Sequence, residues 1–597
     1  MRKFLGLVVF GMIIAIASVA VAAQPLFVAY PPANHQTTAD RIFLIGTAPP
    51  PGQVSVNGNQ ISRTAAGHFA PTFPLQLGEN LFTLRYENQQ VKIKVTRESN
   101  QPEAPVGLAF AKDSLTPKVD VASLPGEYIC FGAIAPANAR VSVKLAGVTI
   151  PLKARSQVEL PDNKSVLLGE NSPIKKGGSE QYQGCAKTPE NSLSSKGEKV
   201  DLGVPAFELT MNDRTISQQG TGKISILSPA ELEIAEVTVE PGVARTGAST
   251  DFSRMTPLPK GTRATVIGRE GEWIRLDYGA WIKASEVRIV KDSVPARSII
   301  RSASSRQVSG WTEILFPLEI PVPVTVQEGE RTFTLTLYNT TAQTDIIRVS
   351  DDPVISRLEW QQISPLQVQY TFNLKSAQQW GYKLRYDGTT LVLSLKHQPA
   401  NTSMMPISQA KPLSGIKILI DPGHGGPEDG GAVSPVGIRE KTVALTVSKL
   451  VREELVNRGA NVLMTRVEDV DLDLPPRVEM IQKEEPAIAI SIHYNALPDN
   501  GDAIKTKGVG AFWFHPQAHS LAIFLHNYLV AKLNRPSYGV FWNNLAMTRP
   551  AVAPSVLMEL GFLINPEEFE WIVNPTEQKK LAEAIAQGVT EWFASVK

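Results

Sequence analysis

The narrowest constraint on this chain is the stretch KILIDPGHGGPEDGGAVSPVGIRE, from Lys417 to Glu440. Its apolar run, Ile418–Ile420, reads as a buried strand. The run ends in Asp421-Pro422-Gly423-His424-Gly425-Gly426, where glycines permit a sharp turn and leave room around the imidazole. Glu440 then opens a helical pattern of Val443, Ala444, Val447, Leu450, Val451 and Leu455, closed by Gly459 at the C-terminal cap position. One loop at a strand's carboxyl end thus offers a histidine, and the next helix's first turn offers a carboxylate. In open α/β sheets, ligands bind at that edge.

Two further runs end in the same way. Ala487–Ser491 reads as a buried strand delivering His493, and Ser555–Leu560 as another carrying Glu559. Two histidines and one carboxylate form a zinc-hydrolase ligand set with an open fourth position for water. A remaining glutamate can serve as general base.

At these residues the chain resembles the zinc-dependent N-acetylmuramoyl-L-alanine amidase family, the Amidase_3 type. The matching motifs are DPGHGG, the glutamate of Arg439-Glu440-Lys441, SIHYNA, and MELGF followed by Asn565. Thr465-Arg466 also fits. Carried over residue by residue, the resemblance implies His424, Glu440 and His493 as zinc ligands and Glu559 as catalytic base. It implies peptidoglycan as substrate, cut between N-acetylmuramic acid and L-alanine during wall remodelling and daughter-cell separation. An envelope activator or targeting protein is an implied partner. Some members carry a long insertion after the second histidine that plugs the site. Ala496–Lys507 is too short for that, so control is expected to fall to the front of the chain.

From Lys417 onward, strand and helix patterns alternate: a strand at Asn461–Thr465, a helix opening at Pro475-Pro476, a strand at Val509–Phe514, an amphipathic helix at Gln517–Leu533 and two closing helices. The expected fold class is multidomain, with a C-terminal α/β domain whose mostly parallel sheet is covered by helices. Several all-β domains precede it. A length of 597 residues suits this, at about 150 residues per domain.

The expected boundaries follow composition. Residues 1–23 have a basic start, an apolar stretch and small residues at Ala20–Ala23, the pattern of a signal peptide; an uncleaved anchor is the alternative. The chain is expected to be exported to the periplasm or cell envelope. Residues 24–100 resemble an immunoglobulin-like β domain, with a hairpin signal at Asn57-Gly58. Residues 101–230 read as a second β-rich domain, with residues 155–205 largely loop. It carries Cys130 and Cys185, the two cysteines of the chain, expected as one disulfide in an exported protein; two buried free thiols are the alternative. Residues 231–292 resemble a bacterial Src-homology-3-like domain, with Trp273 and Trp281 as barrel core or as part of a peptide groove. Residues 293–396 alternate as a β-sandwich and resemble an AMIN domain, and residues 397–414 read as a linker.

The net charge of +1 makes no electrostatic claim on nucleic acid. The remaining histidines compete poorly as ligands: His515 and His519 lack an HExxH setting, His526 reads as solvated on a helix, and His35, His68 and His397 fall in loops or β modules. Asp421 either orients His424 or caps the turn, and an Asp before Pro favours the turn. Glu567 and Glu568 suit a helix first turn. Two rival functions stay open at this level: a zinc peptidase acting within the stem peptide, and a wall-binding scaffold with an inert site. Protein recovered from an exporting host should begin at Ala23 or Gln24 by N-terminal sequencing; Met1 retained in the membrane fraction would contradict the signal-peptide reading.

Overall fold

The computed structural model describes residues 25–99, 105, 107–155, 158–169, 171–175, 180–189, 199–228, 230–292, 294–349, 351–399 and 411–596. The apolar N-terminal segment and most of the expected linker lie outside the described residues. Among the described residues, no helix is long and apolar enough to cross a membrane.

Up to Lys396 the described chain is strands and turns, apart from two short 3-10 turns. Alternation builds it. In Gly78–Tyr86, Phe82, Leu84 and Tyr86 enter a core while Leu81 and Arg85 face solvent. Apolar cores form within residues 26–95, 110–224, 235–282 and 300–395. Strand Arg263–Glu270 pairs with both Leu232–Val237 and Val121–Ser123, so one sheet runs from the second core into the third. Trp273 is buried there, and Trp281 is half-buried. In the fourth, a five-stranded and a four-stranded sheet enclose the core.

Part of the stretch expected as loop is strand. Glu180–Lys187 pairs with Tyr128–Ala135 and with Val148–Arg155. It buries Tyr182 fully but little else, so its periodicity is too weak to read from sequence. The pairing sets Cys130 directly opposite Cys185, and the two form a disulfide.

The C-terminal unit begins with β1 (Lys417–Pro422), α1 (Glu440–Asn457), β2 (Asn461–Met464) and α2 (Leu474–Glu484). It continues through β3 (Ile488–Asn495), β4 (Val509–Trp513), α3 (His519–Leu533), β5 (Ser537–Trp542) and β6 (Ser555–Phe562). Helices α4 (Pro566–Ile572) and α5 (Pro575–Ser595) complete it. The sheet order is β2-β1-β3-β6-β4-β5. All neighbours are parallel except β6 and β4. The sheet is therefore mixed, with β4 and β5 running against the rest. Strand β5, half-exposed at the edge, has no clean apolar alternation, and the sequence reading lacked it.

Both faces of the sheet are dry, as continuous apolar strands require. Ile418, Ile420, Ile488 and Ile490 pack with α1, α3 and α5 in the main core. On the other face, Leu419 and Ala489 meet Ile481 of α2, Met547 and Trp311, the last from the module preceding the linker. That module also docks at the amino ends of β3 and β6, where Lys396 donates to the carbonyls of Glu485, Pro486 and Val552. The first β module sends Phe43, Ile45 and Ala70 into the main core.

The disulfide closes a sequence separation of 55, which corresponds to about 4 kcal/mol of loop entropy. Replacing both cysteines by serine should strip amide-exchange protection from residues 128–135 and 180–187. Unchanged protection would contradict that role.

Candidate metal centre

Three strand ends and one helix start converge at the carboxyl edge of β1, β3 and β6. After β1, His424 adopts left-handed backbone with φ 58°. In β3, His493 stands directly beside Glu559 of β6 in the parallel register. Glu440, the first residue of α1, is 4% exposed and lies between the two imidazoles. Its Oε2 is 3.1 Å from His424 Nε2, and its Oε1 is 2.9 Å from His493 Nδ1. The same oxygens accept the backbone N–H groups of Ala432 and Tyr494. Two glycines make the approach possible. A Cβ on Gly423 would lie 2.4 Å from the His493 ring, and one on Gly431, at φ +64°, 2.5 Å from Glu440 Oε2.

The electrostatics follow from burial against pairing. Burial alone would raise the Glu440 carboxyl, but His424 and His493 hold it well below the usual carboxylate range. Burial works against charge on His424 too, yet Glu440 and Asp429 hold it up at about 9. Glu559 has no such partner. Burial, reinforced by the Glu440 charge, pushes it well above the ordinary value. Its Oε2 is shielded from solvent and takes no hydrogen bond from the described residues.

His424, Glu440 and His493 can hold a metal ion: one ligand atom from each lies within 4.8 Å of the others, and they form the one such group found among the described residues. Two imidazole nitrogens and one carboxylate suit zinc. The far nitrogen of His424, Nδ1, is 2.6 Å from Asp429 Oδ1, the carboxylate–histidine arrangement that fixes a ligand ring. Asp429 was not picked out in the sequence; its position in the same glycine-rich loop, five residues on, was the available signal.

Asp421 does not orient the His424 side chain. It is 1% exposed and accepts from Thr465, Ser491 and Arg477. Arg477 also donates to the carbonyls of Leu472, Pro422 and His424. Arg466 donates to those of Pro422, Gly423, Glu468 and Lys441. Two buried guanidiniums thus hold three successive carbonyls of the histidine loop, which is how a left-handed histidine stays put. The Thr465-Arg466 motif acquires its physical reason here, whereas Arg477, in the first turns of α2, was not picked out in the sequence.

Other outcomes differ from expectation. His526 is not solvated: it is 5% exposed, with Nε2 2.9 Å from Ser537 Oγ of β5, because it lies on the buried stripe of α3 with Ala522, Leu525 and Leu529. Glu568 is more than a helix-start charge, being 2% exposed and accepting the N–H groups of Phe562 and Gly508. It ties the end of β6 to the start of β4. Tyr538 of β5 reaches across Gly510, where a Cβ would meet its ring at 3.1 Å and the Glu559 Cβ at 3.5 Å. Burial and the Glu559 charge raise its hydroxyl to about 12.

Residues 418–591 match the family model described as N-acetylmuramoyl-L-alanine amidase. The germination-specific N-acetylmuramoyl-L-alanine amidase of Bacillus subtilis (strain 168) is 35% identical over 221 residues, covering 34% of this chain and 90% of that protein. The probable cell wall amidase LytH of Staphylococcus epidermidis is 32% identical over 198 residues, covering 33% of this chain and 64% of that protein. A crystal structure of an N-acetylmuramoyl-L-alanine amidase from Clostridium difficile 630 aligns at 29% identity and a TM-score of 0.29, covering 30% of this chain and 98% of that one.

Arg477→Met should destabilise the C-terminal unit by about 3–5 kcal/mol, since it leaves Asp421 buried and unpaired. Chemical denaturation followed by amide exchange in β1 and β3 measures this. A loss below about 1 kcal/mol would contradict the pairing.

Proposed function

We propose, for a chain that belongs to the N-acetylmuramoyl-L-alanine amidase family, that it is an exported zinc enzyme of the cell envelope. It hydrolyses the amide between the lactyl group of N-acetylmuramic acid and L-alanine in peptidoglycan. The observation that carries this reading is the buried Glu440 carboxylate between His424 and His493, with the unpartnered Glu559 beside them.

His424, Glu440 and His493 would hold the zinc. Bound there, zinc would polarise the scissile carbonyl and lower the pKa of the attacking water. Glu559 is the general base. Burial and the nearby Glu440 charge hold its pKa above the ordinary carboxylate value, which makes it a stronger base than a solvated glutamate. Water's oxygen bonds to the carbonyl carbon as its proton passes to Glu559. The carbon–nitrogen bond then breaks, and Glu559 returns the proton to the leaving amine of L-alanine. The products are a lactyl carboxylate on the sugar and a stem peptide with a free amino terminus. Asp429 keeps the His424 ring oriented, and the Arg466–Arg477 pair keeps its loop in place.

The β modules ahead of this unit suit targeting to the wall. We assign the boundaries 24–100, 101–230, 231–292 and 293–396 to them, the third Src-homology-3-like and the fourth AMIN-like, with 397–414 as linker and 415–597 as catalytic domain. The biological role is wall remodelling and separation of daughter cells, under an envelope activator or targeting partner.

Mass spectrometry of peptidoglycan digested by the zinc-loaded full mature chain tests the reading. Free stem peptides beginning with L-alanine, and glycans with bare lactyl carboxyls, are expected. Shortened stems still attached to sugar would make the chain a peptidase, and no product from zinc-verified protein would move weight to a scaffold or to an activator requirement. Glu559→Gln should cost about 10²–10⁴-fold in kcat with zinc retained, and His493→Ala should lose the zinc.

A further inference from the structure

The loop Ala496–Lys507 joins the two halves of the site. It leaves β3 shortly after His493 and enters β4 just ahead of Gly510, which abuts Glu559. The loop therefore borders the cleft between a proposed zinc ligand and the flank of the proposed base, while His493 and Glu559 themselves are held by the paired strands β3 and β6. It has no helix or strand of its own, so its shape depends on anchors.

Two anchors come from the C-terminal unit. Asn565 donates to the carbonyls of Ile504 and Thr506, and Glu568 accepts from Gly508. The third comes from more than four hundred residues earlier in the chain. Asp499 accepts a hydrogen bond from the Tyr30 hydroxyl, and its Oδ2 lies 2.9 Å from His35 Nε2. The His35 and Asp499 side chains are each 18% exposed, so this clasp is sheltered rather than a surface ion pair. Burial would raise the Asp499 carboxyl, but Thr37, Tyr30 and His35 together hold it below its usual value.

The clasp sits on a broad contact. Tyr30 packs on Phe43, which belongs to the core of the C-terminal unit. His68 stands edge-on to Phe569 at 5.1 Å, and the Phe27 ring covers Gly437. A separate contact comes from the second β module, where the carbonyl of Leu167 accepts from the Tyr538 hydroxyl at 2.5 Å. The front of the chain therefore closes on the catalytic edge, while the module before the linker docks at the opposite edge.

We propose that the first β module is a structural wall of the catalytic cleft, in which Tyr30 and His35 are positioning residues that hold Asp499 and so set the 496–507 loop against the peptidoglycan substrate. This rests on the reading of the site as a wall amidase. The first module is then an obligate part of the enzyme and not a detachable targeting unit.

The test uses the full mature chain carrying Tyr30→Phe and His35→Ala together, with solubilised peptidoglycan as substrate. KM should rise about tenfold with kcat within about twofold of wild type, because the loop seats substrate without touching the reacting atoms. Zinc affinity, read by competition with a chelator, should not change. Amide exchange should quicken across 496–507 and not across β1. His35→Gln, which keeps a donor for Asp499, should stay near wild type. Unchanged KM and unchanged loop exchange would overturn the proposal. A fall in zinc affinity matching a general loss of stability would also overturn it. A wild-type chain that binds zinc but leaves the muramoyl–alanine amide intact would sink the underlying reading instead, and loop exchange in the double variant would still decide whether the clasp holds the loop.

Discussion

A carboxylate buried between two imidazoles is the interaction on which the rest of this structure depends. Isolated, an ionised Glu440 at that depth would cost several kcal/mol. It is tolerated because both oxygens are occupied, each by one ring nitrogen and one backbone N–H. Those partners come from β3, from the loop after β1 and from the approach to α1, so the carboxylate requires the three segments to meet. The glycines at 423 and 431 exist for that meeting, and the arginine pair beneath it holds the histidine loop from the other side. Glu559 differs by having no partner. The burial that Glu440 tolerates through its partners raises the pKa of the unpartnered Glu559 carboxyl.

Much of this was legible in the sequence. Parallel strands buried on both faces read as continuous apolar runs, which is why β1, β3 and β6 stand out along with the groups at their ends. Helix α1 announced itself by its spacing and by Gly459. What was hidden depends on pairing at a distance. Strand β5 is an edge strand with a half-exposed pattern, so Tyr538 was invisible as a neighbour of Glu559. Arg477 and Asp421 are 56 positions apart, and nothing local says that they pair. His526 was read as solvated from its polarity, and its burial depends on β5, the strand that the sequence did not reveal. Strand Glu180–Lys187 owes its place to its partners and to the disulfide more than to its own polar sequence.

The front of the chain was read as a series of modules, and the structure shows cores in that order, yet their mutual contacts matter as much as their separateness. One sheet bridges the second and third cores. Trp311 and Lys396 seal the amino edge of the catalytic sheet, and Phe43 and Ile45 enter its core. Apolar surface shared in this way contributes roughly 25 cal/mol per Å² removed from water, so cutting the catalytic unit free would expose surface that its stability uses. Experiments on function are therefore best made with the full chain.

The central claim is that His424, Glu440 and His493 form one zinc centre. X-ray absorption at the zinc edge, on the full chain loaded with one equivalent of zinc, tests it most directly. The account predicts one tightly held zinc with two imidazole nitrogens at about 2.0–2.1 Å and the remaining ligands oxygen. It also predicts that one imidazole disappears from the spectrum in His424→Ala. A shell without imidazole, or one that His424→Ala leaves unchanged, would contradict it.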